Sequence, residues 1–177
     1  MSTKIDGEES DTSSESESAK IGIIALRSGS CSSLSKRSTI TYQIGVLSGS
    51  DTPTSSFEPA EIYLRITANT GKGMFSNDWV SLSTVSEAID DLPSSQGLTS
   101  PSLHAIYFGK SLNTSGFLLA VLREEGLVVT LAGKRPSYQK TDFSSFVTAL
   151  SEVADREVQP GPATPIEKAR KKRGKQT

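Results

Sequence analysis

The chain has one cysteine and one histidine among its 177 residues, too few for a disulfide framework or for a metal centre built from these residues. It also lacks an apolar run approaching the ~18 residues of a membrane-spanning helix, and its polar, acidic start differs from a secretory signal peptide. These absences favour a reduced cytosolic or nuclear protein that crosses no membrane. Aromatic residues make up only 6% of the chain, so few rings are available to stack on a ligand.

Charge is concentrated at the two ends, which are also depleted in apolar residues. Residues 1–19 are serine-rich and carry a net charge of −5, whereas residues 158–177 carry a net charge of +5. Neither end can bury enough apolar surface to offset the entropy lost on ordering. We therefore predict a disordered acidic tail at 1–19, one domain at 20–156 and a disordered basic tail at 157–177. The basic tail has three open interpretations: phosphate contact, a nuclear address or a solubilising segment.

The first half of the domain alternates apolar and polar residues with the period of half-buried antiparallel strands. This pattern predicts strands at 20–28, 39–47, 60–69 and 74–81. Helical spacing follows at 84–92, where Thr84 and Glu87 can form a capping box at the start of the helix. The first half is therefore predicted to contain four strands and a short helix.

The second half is interpreted in the same way. Short apolar runs predict strands at 103–110, 116–123 and 127–133, and 137–140 is a candidate for an eighth strand. Segment 141–153 is predicted to be a helix, because its aromatic and aliphatic residues recur at helical spacing and Thr141 or Asp142 can cap its start. We expect an α+β fold of antiparallel sheets with two helices on one side, in a duplicated ββββα plan.

Two segments resemble a known family. Residues 78–83 (Asp-Trp-Val-Ser-Leu-Ser) lead into the first predicted helix, and residues 138–143 (Tyr-Gln-Lys-Thr-Asp-Phe) lead into the second. With the element order, these helix entries resemble the Whirly family of single-stranded-DNA-binding proteins, whose fold is shared with the transcriptional coactivator positive cofactor four. The resemblance implies a repeated ββββα fold that binds single-stranded DNA.

Net charge counts against nucleic-acid binding, whereas the distribution of charge favours it. Residues 20–155 hold eleven basic and twelve acidic residues, whereas a nucleic-acid-binding domain usually has a basic bias. However, the predicted helical segments 84–92 and 142–155 hold six acidic residues and no basic one. If both helices cover one side of the sheet, the other side is positive and can contact phosphates. The alternative interpretation is an ordinary solvated sheet face.

Single strands also need aromatic side chains on which bases can stack. Tyr63 and Arg65 share the outward face of one predicted strand, Tyr107 lies near Lys110, and Gln43 can donate hydrogen bonds to bases. The candidate nucleic-acid-binding residues are Arg27, Lys36, Arg37, Tyr63, Arg65, Lys72, Tyr107, Lys110, Arg123, Lys134 and Arg135.

Few features indicate an enzyme. His104 alternates within an apolar run and is interpreted as structural, and Trp79 is interpreted as an anchor between the first helix and the sheet. The tripeptide 109–111 (Gly-Lys-Ser) lacks the preceding glycine of a phosphate-binding loop, and a strand rather than the required helix is predicted to follow it. We expect no catalytic activity, no cofactor and no bound metal.

The sequence predicts a protein that binds single-stranded DNA or RNA with low sequence specificity in replication, recombination or transcription. Open sheets leave edges that must be covered, so we expect homo-oligomers. The expected location is the cytoplasm, with the nucleoid or a viral replication site, or the nucleus in a eukaryote. The alternative is a viral or plasmid-encoded structural or adaptor protein that joins protein partners through its oppositely charged tails.

Overall fold

The structure is a computed structural model. It describes residues 22–48, 57–93, 95–133 and 136–158, with side chains up to residue 154. The predicted acidic tail and the predicted basic tail beyond Val158 lie outside the described residues. Residues 157 and 158 belong to the last helix, so the first two positions of the predicted basic tail are helical.

A four-stranded antiparallel sheet forms the first half of the domain. Its strands are β1 (Ile23–Ser32), β2 (Thr39–Leu47), β3 (Ile62–Asn69) and β4 (Val80–Ser81), and they pair in sequence order. Successive residues of a strand point to opposite faces, so β2 and β3 each bury an apolar set on one face of the sheet. The bounds of β2 match the prediction, and β1 and β3 overlap predicted strands. The predicted fourth strand is reduced to the two residues of β4.

Three helices pack on the apolar face of this sheet. They are α1 (Leu82–Asp90), α2 (Asn113–Glu124) and α3 (Ser144–Val158). Ile44 and Leu64, on the inner face of the sheet, are at most 1% exposed and share one hydrophobic cluster with residues of all three helices. The expected α+β class, with antiparallel sheets and helices on one side, is therefore confirmed.

Short polar side chains set the starts of two helices. α1 begins two residues before the predicted helix, because Ser81 takes the capping role predicted for Thr84: the Ser81 hydroxyl accepts a hydrogen bond from the Thr84 N–H at 3.1 Å. At the start of α3, an Asp142 carboxylate oxygen accepts from the Ser144 N–H at 3.1 Å, in agreement with the predicted cap.

Two of the strands predicted in the second half are wrong. Most of 103–110 belongs to a 3₁₀ helix, Ser100–Tyr107, and 116–123 lies within α2. Five consecutive residues of α2, from Leu118 to Leu122, are buried, so this helix is covered on nearly all sides. A continuous apolar run has no periodicity, so it does not separate a buried helix from a buried strand. The second half therefore does not duplicate the ββββα plan.

A separate two-stranded sheet follows α2. It consists of β5 (Val128–Leu131) and β6 (Ser137–Lys140), which agree with the predicted strands at 127–133 and 137–140. Lys140 joins this small sheet to α1, since its Nζ lies 2.5 Å from Asp90 Oδ2 and 2.5 Å from Ser86 Oγ. The hydrogen bond from Lys140 lowers the pKa of Asp90.

Glu125, directly after α2, is held between two strands. Its carboxylate accepts hydrogen bonds from the Tyr42 hydroxyl on β2 and from the Arg27 guanidinium on β1. The Glu125 side chain is only 10% exposed, so Arg27 compensates a charge that is largely removed from water. Burial, with the hydrogen bond to Glu125, raises the pKa of Tyr42, and the hydroxyl stays protonated as a donor. We refer to Glu125, Tyr42 and Arg27 as the Glu125 clamp.

We expect the Glu125→Ala variant to lose about 1–3 kcal/mol of unfolding free energy, because it leaves the Tyr42 hydroxyl and the Arg27 guanidinium without their acceptor. The Arg27 side chain is 42% exposed and can turn to water, which favours the lower end of this range. Urea unfolding measures the loss. In the control, Glu124→Ala changes an exposed neighbour and should shift the unfolding free energy by less than about 0.5 kcal/mol. Equal losses of unfolding free energy in Glu125→Ala and Glu124→Ala would contradict the stabilising role of the Glu125 clamp.

Candidate nucleic-acid interface

The face of the four-stranded sheet that points away from the helices is polar and partly exposed. The pairing places Gln43 opposite Arg65 and Gly45 opposite Tyr63, all on this face. Tyr63 in turn pairs with Ser81 on β4. We call this surface the open face. No acidic residue lies among the residues that β1 to β4 contribute to it.

Trp79 and Arg65 contact each other on the open face. The guanidinium carbon of Arg65 lies 4.4 Å from the centre of the Trp79 ring, a cation–π geometry. Two nitrogens of the same guanidinium, Nε and Nη2, donate to Gln43 Oε1 at 2.9 and 2.6 Å. Arg65 is therefore fixed in a plane by an amide on one strand and an indole next to β4.

Gly45 lets the indole approach the sheet. A Cβ atom at position 45 would lie 3.0 Å from Trp79 Cη2 and 2.6 Å from the carbonyl oxygen of Ile24. The 2.6 Å distance is shorter than Cβ contacts in proteins and the 3.0 Å distance is unusually tight, so a side chain here would displace β1 or push the indole away. Glycine at this position in β2 thus allows an aromatic ring to approach the backbone closely.

Trp79 is a residue of the open sheet surface, which differs from its predicted role. It was interpreted as an anchor for α1, yet it lies on the open face, half-buried against Arg65 and Gly45. The alternation of buried and exposed residues after Trp79 could have predicted this orientation. Val80 is buried opposite Leu64, so the residue before it points to the other face of the sheet.

Arg65 and Arg123 lie on opposite sides of the sheet. Arg65 is on the open face, whereas Arg123 belongs to α2 on the helix side, where its Nη2 donates to the Ser32 carbonyl at 3.2 Å. Arg27 is also on the helix side, in the Glu125 clamp. The prediction of one cationic face that includes all three arginines is therefore wrong, because one of them is on a helix that was read as a strand.

Tyr107 is not available for stacking. It is 6% exposed and belongs to the hydrophobic core at the end of the 3₁₀ helix. Burial raises the pKa of its hydroxyl, which keeps the group neutral. The prediction that Tyr107 contacts a base is wrong for this reason. Tyr63 is half-buried on the open face and keeps part of its ring in solvent.

Three further cations lie in two turns at one end of the sheet. Lys36 and Arg37 lie in the β1–β2 turn and Lys72 lies in the turn after β3. The two turns are joined by hydrogen bonds between residues 39 and 70, at 3.0 and 2.9 Å. Arg123 and Lys36 line the same surface depression, which also contains Glu124. We call Lys36, Arg37 and Lys72 the cationic end, and Arg123 lies next to Lys36 on the helix side.

The remaining candidates divide into one described residue and two that are not. Lys110 lies between the 3₁₀ helix and α2, with its Nζ 3.3 Å from Asp78 Oδ2. Both side chains of this pair are about half exposed, so the pair is a weak one. Lys134 and Arg135 lie outside the described residues.

Groups that could carry catalysis are dispersed in the described part of the chain. Cys31 lies in β1, and burial raises its pKa to about 11, so the thiol is protonated and unreactive near neutral pH. His104 lies on the 3₁₀ helix rather than on a strand. Within the described residues, no three or more His, Cys, Asp or Glu side chains come together as a metal site.

The fold and this surface define an α+β protein with an aromatic and cationic open sheet face. No protein-family model matches the chain, and no curated protein or solved structure is significantly similar to it. The resemblance to the Whirly family therefore stays a prediction. Among the residues that the structure describes, no helix has the length and apolar character needed to cross a bilayer.

Proposed function

We propose that the protein binds single-stranded nucleic acid, with little sequence preference, on the open face of the four-stranded sheet. The observation that carries this proposal is the Arg65–Trp79 stack, supported by Gln43 and adjoining Tyr63 on a strand surface free of acids. Every base has a π-face, so stacking on an indole or a phenol ring tolerates any sequence. The Arg65 guanidinium can bind a phosphate, or it can stack on a base together with Trp79.

The cationic end extends this surface along the sheet. Lys36, Arg37 and Lys72 can neutralise phosphates of a strand that continues past Arg65. If three to five phosphates are neutralised, the logarithm of affinity should fall with the logarithm of salt concentration at a slope of about −2 to −3.5. The near-zero net charge of the chain adds little long-range attraction, so the salt dependence should reflect the local phosphate contacts.

The chain has a single tryptophan, so its fluorescence reports directly on the proposed site. We expect oligo-dT to quench Trp79 emission at low salt, and we expect the quenching to weaken along the salt series with the slope given above. A duplex of the same length should quench less, since its bases are stacked on one another and are not free to stack on the protein. Absence of both quenching and an anisotropy change of labelled oligo-dT at low salt would overturn the proposal.

The same titration separates this function from the adaptor alternative. An adaptor with an incidental basic tail predicts weak binding that disappears when residues 159–177 are deleted and that leaves Trp79 emission unchanged. Binding on the open face predicts that the deletion lowers affinity but that quenching remains.

We also propose that the protein associates with copies of itself. A second copy could pair with β1, which is an edge of the sheet with ten residues and one neighbour, β2. The bulge after Ala25 and the inward charge of Arg27 make this edge a poor template, so such a homo-oligomer would need further contacts. The protein would act on single strands of DNA or RNA in replication, recombination or transcription, in the cytoplasm, at a nucleoid or viral replication site, or in a nucleus.

A further inference from the structure

An exposed apolar surface lies at the corner formed by two loops. Met74, Phe108 and Leu112 are 79%, 92% and 70% exposed. Met74 precedes β4, and the other two residues lie between the 3₁₀ helix and α2. The Met74 carbonyl accepts hydrogen bonds from Ser111 Oγ at 2.6 Å and from Asn113 Nδ2 at 3.3 Å, so the two loops form one unit. We call Met74, Phe108 and Leu112 the apolar corner.

A tight turn holds Phe108 away from the core. Tyr107 is buried, and its carbonyl accepts from the Lys110 N–H at 2.9 Å. Phe108 has φ −52° and ψ 131°, and Gly109 has φ +73°, the angles of a type II turn with glycine at the position that requires positive φ. The ring of Phe108 therefore projects into solvent from an anchored backbone. A large apolar side chain presented in this way is typical of a binding surface.

The apolar corner is connected to the open face. Lys110 pairs with Asp78, and Asp78 is the neighbour of Trp79 in the chain. The loop that carries Phe108 and Lys110 therefore lies beside the segment that carries Trp79. Since the pair between Lys110 and Asp78 is exposed and weak, a phosphate can replace the carboxylate as the partner of Lys110.

We infer that the apolar corner is a second base-stacking position for the same single strand, with Phe108 as the stacking side chain and Lys110 as a phosphate contact. This inference rests on the proposed function of the open face. The bound nucleic acid would then cross the molecule from the middle of the sheet, past β4, to the loop before α2. Met74 and Leu112, in the same two loops, would add exposed apolar surface near a stacked base. An anionic lipid surface could also take apolar residues beside lysines, and the continuity with Trp79 favours the nucleic acid.

The experiment compares oligo-dT of two lengths on the full chain and on Phe108→Ala. An oligomer of about four nucleotides is long enough for the Trp79 position alone, whereas one of about twelve can reach both positions. We expect Phe108→Ala to bind the longer oligomer about 5- to 100-fold more weakly and the shorter one with unchanged affinity, as measured by Trp79 quenching. Phe108→Tyr, which keeps a ring, should bind both oligomers like the unmodified chain. Val129→Ala is the control for an exposed apolar residue outside the corner, and it should bind both oligomers unchanged.

Three outcomes would overturn the inference, and they are distinguishable. If Phe108→Ala binds the longer oligomer normally while Trp79 is still quenched, the corner is not a stacking position and the proposed function stands. If neither oligomer quenches Trp79 in the unmodified chain and labelled oligo-dT shows no anisotropy change, the proposed function itself fails. If Phe108→Ala loses binding to phosphatidylserine vesicles and keeps its affinity for both oligomers, the corner contacts a lipid surface instead.

Discussion

Replacing Trp79 with alanine is expected to weaken the binding of oligo-dT by about 10- to 100-fold. The substitution removes the larger of the two rings on the open face and also removes the surface against which the Arg65 guanidinium lies. Arg65 keeps its hydrogen bonds to Gln43, so part of the phosphate contact should survive. Because the variant has no tryptophan left, the affinity is measured by the anisotropy of a labelled oligonucleotide.

Two controls make this result specific. Trp79→Phe keeps an aromatic face at the same position, so its affinity should remain within about 5-fold of the original. Arg65→Ala combined with Trp79→Ala should lose less than the sum of the two single losses, because each residue supports the other. A Trp79→Ala chain that keeps its native circular dichroism and binds oligo-dT normally would rule out the open face as the binding surface.

Regular alternation explains which parts of the fold could be predicted. In β2 and β3, polar and apolar residues alternate and one face is buried, so both strands were predicted close to their observed bounds. α1 and α3 each have one apolar stripe, and both were recognised as helices. α2 has no polar side to give it a period, since it is enclosed by the sheet, the 3₁₀ helix and β5. Its assignment depends on tertiary surroundings that the sequence does not display.

Some residues of the candidate site could likewise be placed from the sequence, and others could not. Tyr63 and Arg65 were placed correctly on one outward face, because β3 alternates without interruption between them. Arg27 was placed on the wrong face for a local reason. A bulge between Ala25 and Arg27 adds one residue to β1, which reverses the alternation and sets Arg27 opposite Ile44. A bulge of this kind leaves little trace in a single sequence.

Substitutions of buried residues in α2 are expected to have the largest effect on the free energy of unfolding. Leu118→Ala should lower the unfolding free energy by about 2–5 kcal/mol, because Leu118 is 1% exposed and its removal leaves a cavity next to the sheet. Leu119→Ala should cost about as much, since this neighbour is also 1% exposed. In a strand with one solvated face, consecutive residues would differ, and only one of the two substitutions would be costly.

Leu112→Ala provides the matched control, because Leu112 lies directly before α2 and is 70% exposed. This variant should stay within about 0.5 kcal/mol of the original chain. Urea unfolding followed by far-ultraviolet circular dichroism measures all three variants on the same scale. For a domain with an unfolding free energy of about 5–15 kcal/mol, the Leu118 and Leu119 variants lose a large fraction of the total, and the Leu112 variant does not. A large effect at Leu118 together with a negligible one at Leu119 would mean that α2 is covered on one side only, and the enclosure of this helix in the core would then be wrong.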